Sequence, residues 1–305
     1  METRAIGSLK VSLVGLGGNN FGWRVDAAGT EAVVKAALDA GITLFDTADS
    51  YGGTKSEEYL GRALGSRRGE AIIATKFGSE IDALRRGARP EYVRQAVEAS
   101  LQRLGTDYID LYQLHRPDHH VPIEETLGAL GELVQAGKVR EIGCSNFSAA
   151  QLREAEEAAV RAGIVRFVSV QNEYNLFERS PERDVLPECE RLGLAFLPFF
   201  PLASGLLTGK YRHGQAPPAG SRLATRGAEA LSGKRLEQVE KLIAFAESRG
   251  HTLLELAVSW LLSRPAVASV IAGATAPEQV RANAAAAGWR LTRAELAEID
   301  RLAPA

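Results

Sequence analysis

Residues 42–65 read ITLFDTADSYGGTKSEEYLGRALG: an apolar run through Phe45, a polar break at Asp46, Asp49 and Tyr51, then helical spacing. So short an apolar run suits a strand covered on both faces. The helix is expected to take Ser56 as its N-cap, with Glu57 and Glu58 in a first turn where acids complement the helix dipole.

The same strand-then-helix unit recurs along the whole chain. VSLVGLG (11–17) leads into a helix with Thr30 as cap and Gly41 as stop. AIIATKFG (71–78) leads, after a loop, into a helix with Pro90 in its first turn. YIDLYQLH (108–115), VREIGCSN (139–146), RFVSVQNEYN (166–175), LAFLPFFPL (194–202) and VASVIAGAT (267–275) complete eight such units. Alternation of this kind implies a parallel sheet. Eight units without a composition break predict one domain over residues 1–305, an α/β fold closed as a (β/α)8 barrel. An open doubly wound sheet is the alternative. RAIGSLKVS (4–12) reads as an N-terminal β-hairpin turning at Gly7–Ser8. Extra helices close the C-terminal part, ending with TRAELAEIDRL, and residues 203–233 form the longest loop.

Composition narrows the function classes. The 305 residues are 45% hydrophobic and 24% charged with a net charge of -2, so nothing points to nucleic acid or an anionic membrane as partner. Cys144 and Cys189 are too few for a disulfide scaffold. METRAIGSLK lacks the apolar core of a signal peptide, and no apolar run reaches membrane-spanning length. The expectation is a soluble cytoplasmic protein of open oligomeric state.

A barrel of this kind gathers its chemistry at the C-terminal ends of its strands. Those ends carry Asp46 and Tyr51, then Lys76, His115, Ser145 with Asn146, and Gln171 with Asn172. Taken singly, each has a bland reading. Asp46 suits a turn or cap, Lys76 can extend out of a strand end, and His115 can be a core histidine. Asp49 reads as a turn residue. His119 and His120 read as solvated, and a zinc site from His115, His119 and His120 lacks both helical spacing and a partner carboxylate. No metal site is expected. GLGGNNFG (15–22) fails the dinucleotide fingerprint because Asn20 stands where its last glycine belongs and loop residues follow. A glycine loop over the barrel mouth is the better account.

Asp46 and Tyr51 in FDTADSYG, Lys76 in ATKFG and His115 in LYQLH are similar to the catalytic tetrad of the aldo-keto reductases. The resemblance continues through GCSNFS, VQNEYNL, PLASGLLTGKY and PEQVRANA, in the branch that contains bacterial general reductases and potassium-channel β subunits. It implies NADPH-dependent reduction of aldehydes or ketones, with Tyr51 as general acid, Lys76 its tuner, Asp46 the anchor of Lys76, and His115 orienting the carbonyl. It also implies that Lys76 shifts the phenol toward phenolate. For the cofactor, it places Ser145, Asn146 and Gln171 on the carboxamide, Asp46 beside them, and Phe199 stacked on the nicotinamide. Pro201, Leu202, Ser204, Gly205, Leu206 and Lys210, with Arg222, face the pyrophosphate. Gly273, Thr275, Gln279 and Asn283 meet the adenosine 2′-phosphate and adenine, and Gly18 and Asn19 contribute from the mouth loop. Gly273 and Gln279 stand where many members carry a lysine and an arginine, so NADP(H) is expected with NAD(H) left open. Two other functions compete: a cofactor-binding redox-sensing module with slow turnover, and a Schiff-base lyase using Lys76.

Overall fold

Eight strands close on themselves in the computed structural model, which describes residues 1–218, 221 and 233–304. Two short strands, β1 (Thr3–Ile6) and β2 (Leu9–Ser12), pair antiparallel around Gly7–Ser8, as the sequence predicts. The barrel strands follow: β3 (Val14–Gly17), β4 (Leu44–Asp46), β5 (Ile72–Phe77), β6 (Ile109–Leu114), β7 (Val139–Ser145), β8 (Ser169–Glu173), β9 (Ala195–Phe199) and β10 (Val270–Gly273). All neighbours are parallel, in the order β10-β3-β4-β5-β6-β7-β8-β9. Closure comes just before β10. The Phe196 amide donates to the Ala266 carbonyl at 2.7 Å, and the Ala268 amide donates to the Phe196 carbonyl at 3.0 Å. The open doubly wound alternative is therefore excluded.

Helices α1 (Ala27–Asp39), α2 (Lys55–Leu64), α3 (Pro90–Leu104), α4 (Ile123–Gln135), α5 (Ala149–Ala162) and α6 (Val185–Leu192) each follow one strand. After β9 come α7 (Gly233–Glu247) and α8 (Leu253–Leu262), and after β10 come α9 (Pro277–Ala285) and α10 (Arg293–Leu302). No described helix is long and apolar enough to cross a membrane.

Local rules explain most boundaries. Pro90 opens α3, where its missing N–H costs nothing. Gly41, at φ 79°, follows the end of α1. Two expected caps are displaced. The Asp26 carboxylate accepts from the Gly29 amide at 2.8 Å and caps α1, while Thr30 lies buried inside that helix. Helix α2 begins at Lys55, and Ser56 turns inward: its hydroxyl donates to the Gly18 carbonyl at 2.8 Å and meets the Thr47 hydroxyl at 2.7 Å. Tertiary contact claims the Ser56 hydroxyl, whereas that of Thr30 donates locally to the Asp26 carbonyl at 2.7 Å. Val11 and Ser12, expected in the first barrel strand, belong to the hairpin instead.

The core has two parts. A large cluster fills the space between the sheet's outer face and the helices, with Phe45, Ile73, Tyr112 and Val170 among its members. A smaller one joins Ile6, Leu9 and Val11 of the hairpin to Leu44, Ala74, Leu111, Leu197 and Ile271 of five barrel strands. The hairpin is thus an apolar plug in the end of the barrel where the strands begin. The opposite end is left for polar groups.

Candidate active site

Alternation along the strands sets the next inward layer. Two residues beyond Leu44, Ala74 and Leu111 stand Asp46, Lys76 and Gln113, all buried. Polar groups so deep need partners. The Lys76 ammonium donates to both Asp46 carboxylate oxygens at 2.7 Å and to the Thr47 carbonyl at 2.8 Å. Asp46 Oδ1 also accepts from the side-chain amide of Gln171 at 2.8 Å and lies 3.5 Å from that of Gln113. One carboxylate therefore ties β5, β6 and β8 to β4 across the barrel interior.

Tyr51 folds back over this pair, with the Lys76 nitrogen 5.1 Å from its ring centroid. The turn that carries it needs glycine. Gly52 has φ 59°, and a Cβ there would lie 2.2 Å from the Phe21 carbonyl oxygen of the mouth loop. The Tyr51 ring meets His115 edge to face, with centroids 5.7 Å apart at 76°. Burial raises the Tyr51 pKa; Lys76 pulls it down, but burial prevails. Lys76 thus favours the phenolate, as expected, but burial outweighs it and the phenol keeps its proton. Burial opposes the Lys76 charge, yet Asp46 and Tyr51 outweigh it and raise the lysine pKa. His115 is lowered to about 3, first by burial and then by the charges of Lys76 and Arg116. Its ring is neutral at physiological pH, and its buried Nδ1 has no hydrogen-bond partner among the described residues.

A cleft of about 860 Å³ opens over Asp46, Tyr51 and His115. Lys76 lies beneath it, fully buried. Ser145, Asn146, Gln171 and Phe199 line it, as do Asn19, Pro201, Leu202, Ser204, Gly205 and Lys210. Gly273, Thr275, Gln279 and Asn283 form its far wall. Two residues expected in this set do other work. The Gly18 amide donates to the Asp46 carbonyl at 2.7 Å, bracing the mouth loop, and Leu206 is buried in the core. Arg222 lies outside the described residues.

The donors and acceptors in the cleft are specific. Ser145 donates to the Gln171 carbonyl at 2.7 Å, and the Asn146 side-chain NH2 donates to the His115 carbonyl and the Ser145 hydroxyl, each at 3.0 Å. Asn146 holds φ 61°, a left-handed conformation that asparagine tolerates. Past β9, Phe200, Ala203, Ser204 and Gly205 all have positive φ. The Ala203 and Gly205 amides donate back to the Phe200 and Leu202 carbonyls at 2.9 and 2.8 Å, which holds this turn. At the far wall, Gln279 Oε1 accepts from the Thr275 amide at 2.9 Å, capping the turn into α9.

Sequence reading passed over Gln113, Asn20 and Arg24. The first was legible from register, since Gln113 pairs with Lys76 across β5 and β6. The other two line the cleft from loops whose course no periodicity reveals. Asp49 lies in the turn, as expected, and is buried there, 1% exposed. Trp23 is 66% exposed and Phe21 is core. His119 and His120 are exposed, and among the described residues no group of three His, Cys, Asp or Glu could hold a metal ion.

Comparison with known proteins places these features in context. The model of the aldo/keto reductase family matches residues 13–304. A probable voltage-gated potassium channel subunit beta of Arabidopsis thaliana is 37% identical over 286 residues, covering 90% of this chain and 87% of that protein. A putative voltage-gated potassium channel subunit beta of Schizosaccharomyces pombe is 37% identical over 315 residues, covering 96% and 90%. The aldo-keto reductase YhdN of Bacillus subtilis is 36% identical over 304 residues, again covering 96% and 90%.

Proposed function

From the premise that this chain belongs to the aldo/keto reductase family, we propose that it reduces aldehydes or ketones to alcohols with NADPH, Tyr51 acting as general acid. One observation carries this reading: a protonated phenol and a neutral imidazole meet edge to face in the cleft, above a lysine held charged by a buried carboxylate. A bound nicotinamide supplies the hydride. Charge then develops on the carbonyl oxygen, which needs a proton. Tyr51 donates it. The phenolate left behind is stabilised by the Lys76 ammonium, which Asp46 and the Thr47 carbonyl hold in place. The neutral His115 ring carries one N–H, which donates to the same oxygen and fixes the carbonyl beside Tyr51.

The donor set of the cleft fits a nicotinamide dinucleotide. The side-chain oxygens of Asn146 and Gln171 accept no hydrogen bond from described residues, so a carboxamide can donate to them. Phe199 offers a stacking face, and Lys210 beside Gly205 suits a pyrophosphate. The Gln279 side-chain NH2 and the start of α9 favour the 2′-phosphate of NADPH.

The sequence similarity to channel β subunits favours a second reading, a redox-sensing module with slow turnover. The Schiff-base alternative suffers from the geometry. The Lys76 ammonium has acceptors in Asp46 and Thr47 and a raised pKa, so it offers no lone pair to a carbonyl. The test is NADPH oxidation with 4-nitrobenzaldehyde, alongside NADPH and NADH binding. Tyr51→Phe should lower kcat about 10²–10⁴-fold while leaving the NADPH Kd nearly intact. A near wild-type rate in that variant sinks the acid assignment. Tighter binding of NADH than NADPH sinks the cofactor choice, and negligible wild-type turnover with tight NADPH binding favours the sensing module.

A further inference from the structure

The charged side chains lining the cleft are Asp46, Arg24, Arg116 and Lys210. Asp46 is committed through both oxygens to Lys76. Among the described residues no other carboxylate lines the walls. Lys210 sits beside Gly205, in the segment after β9. Arg116 belongs to the reaction end: it adjoins His115, and its charge acts on both His115 and Tyr51.

Two features keep the Arg116 guanidinium available. Its neighbouring acid, Asp118, is already occupied by backbone amides: Ala88 donates to one oxygen and His120 to the other, both at 2.9 Å. Among the described residues Arg116 makes no hydrogen bond or ion pair. Its base is also fixed. The His115 amide donates to the Phe77 carbonyl at 2.8 Å, and the His115 carbonyl accepts from Asn146 at 3.0 Å. Pro117 then restricts Arg116 to extended backbone. A guanidinium anchored at one end and unpaired at the other presents a planar fork that fits a carboxylate or phosphate in bidentate fashion.

We propose that Arg116 makes the site selective for carbonyl compounds bearing an anionic group, a carboxylate or a phosphate, and that it binds this group while the carbonyl lies at Tyr51 and His115. The inference rests on the reductase reading and adds the substrate class to it. Because Arg116 is exposed, salt weakens the preference.

The experiment compares wild type, Arg116→Gln and Arg116→Lys with NADPH on two substrate pairs. These are 4-carboxybenzaldehyde against its neutral methyl ester, and glyceraldehyde 3-phosphate against glyceraldehyde. The ratio of kcat/KM, anionic over neutral, should exceed one in wild type. It should fall about tenfold in Arg116→Gln, as befits a hydrogen-bonded charge partly open to solvent. Arg116→Lys should keep part of it. Whichever pair loses more names the anion. A ratio unchanged by Arg116→Gln overturns the proposal, as does an equal loss on anionic and neutral members accompanied by weaker NADPH binding. Equilibrium binding of 4-carboxybenzyl alcohol against benzyl alcohol reads the same contact without turnover. Arg116-dependent binding of the acid without turnover of any aldehyde breaks the reductase reading and supports this one. Turnover without Arg116-dependent discrimination does the reverse.

Discussion

The two ends of the barrel are built from alternating positions of the same strands, yet they hold opposite chemistry. Where the strands begin, Leu44, Ala74, Leu111, Leu197 and Ile271 close on Ile6, Leu9 and Val11 of the hairpin. Two residues further along, Asp46, Lys76, Gln113, Phe199 and Gly273 face one another or the cleft. The difference teaches how labour is divided. The plugged end contributes apolar burial, which is indifferent to the identity of any ligand. The open end spends some of that stability on buried charge, which is worth having only if it does chemistry.

The sharpest way to break this comparison is Lys76→Met. It should lower kcat about 10²–10⁴-fold, because the phenol loses the charge that stabilises its conjugate base. It should also destabilise the fold by about 3–5 kcal/mol, since Asp46 stays buried without its cation. Adding Asp46→Asn to Lys76→Met should recover much of the stability in urea titration and none of the rate. If the double variant regains its rate as well, the pair is structural and the division fails.

The plugged end answers with the converse. Leu111→Ala removes a fully buried side chain from the layer beneath the site and should cost about 2–5 kcal/mol. Its kcat, measured at a temperature where the variant is fully folded, should stay within about threefold of wild type. A tenfold loss of kcat without a fall in stability would mean that the lower layer sets the geometry of Tyr51.

How much of this was legible in the sequence follows from the same division. Strand order and the hairpin follow from periodicity, because apolar runs and Gly7–Ser8 are local signals. Strand ends pointed to Asp46, Lys76, His115 and Gln171, which the fold brings within one polar layer or its rim. What failed was tertiary. Ser56 looks like a cap, but neighbouring elements claim it. That Arg116 stands unpaired among the described residues is legible only in the fold, where backbone amides occupy Asp118. The direction of the Tyr51 shift was also out of reach, because it depends on how deeply the ring is covered.

Asp49 qualifies the comparison itself: a buried polar residue in the turn at the open end, outside the lining of the cleft. Its Oδ1 is buried and has no partner among the described residues, and its Oδ2 lies 3.5 Å from the Tyr92 hydroxyl on α3. Burial raises its pKa to about 7; Glu57 adds to the rise, while Arg103 opposes it. An unfolded aspartate titrates at about 3.9. Between those values the folded chain holds a proton that the unfolded chain has released, so stability falls as pH rises through the window and the penalty is complete above its upper edge. Asp49→Asn keeps the shape and cannot ionise. It should therefore raise Tm at pH 8, where it removes a penalty on the order of 4 kcal/mol, and change it little at pH 4, where the wild-type carboxyl is protonated in the fold. Equal shifts at both pH values, or a lower Tm at pH 8, would mean that the carboxylate is satisfied in the native state. The buried acids of the open end would then all be paired, and the cost of its polarity would rest on Asp46 and Lys76 alone.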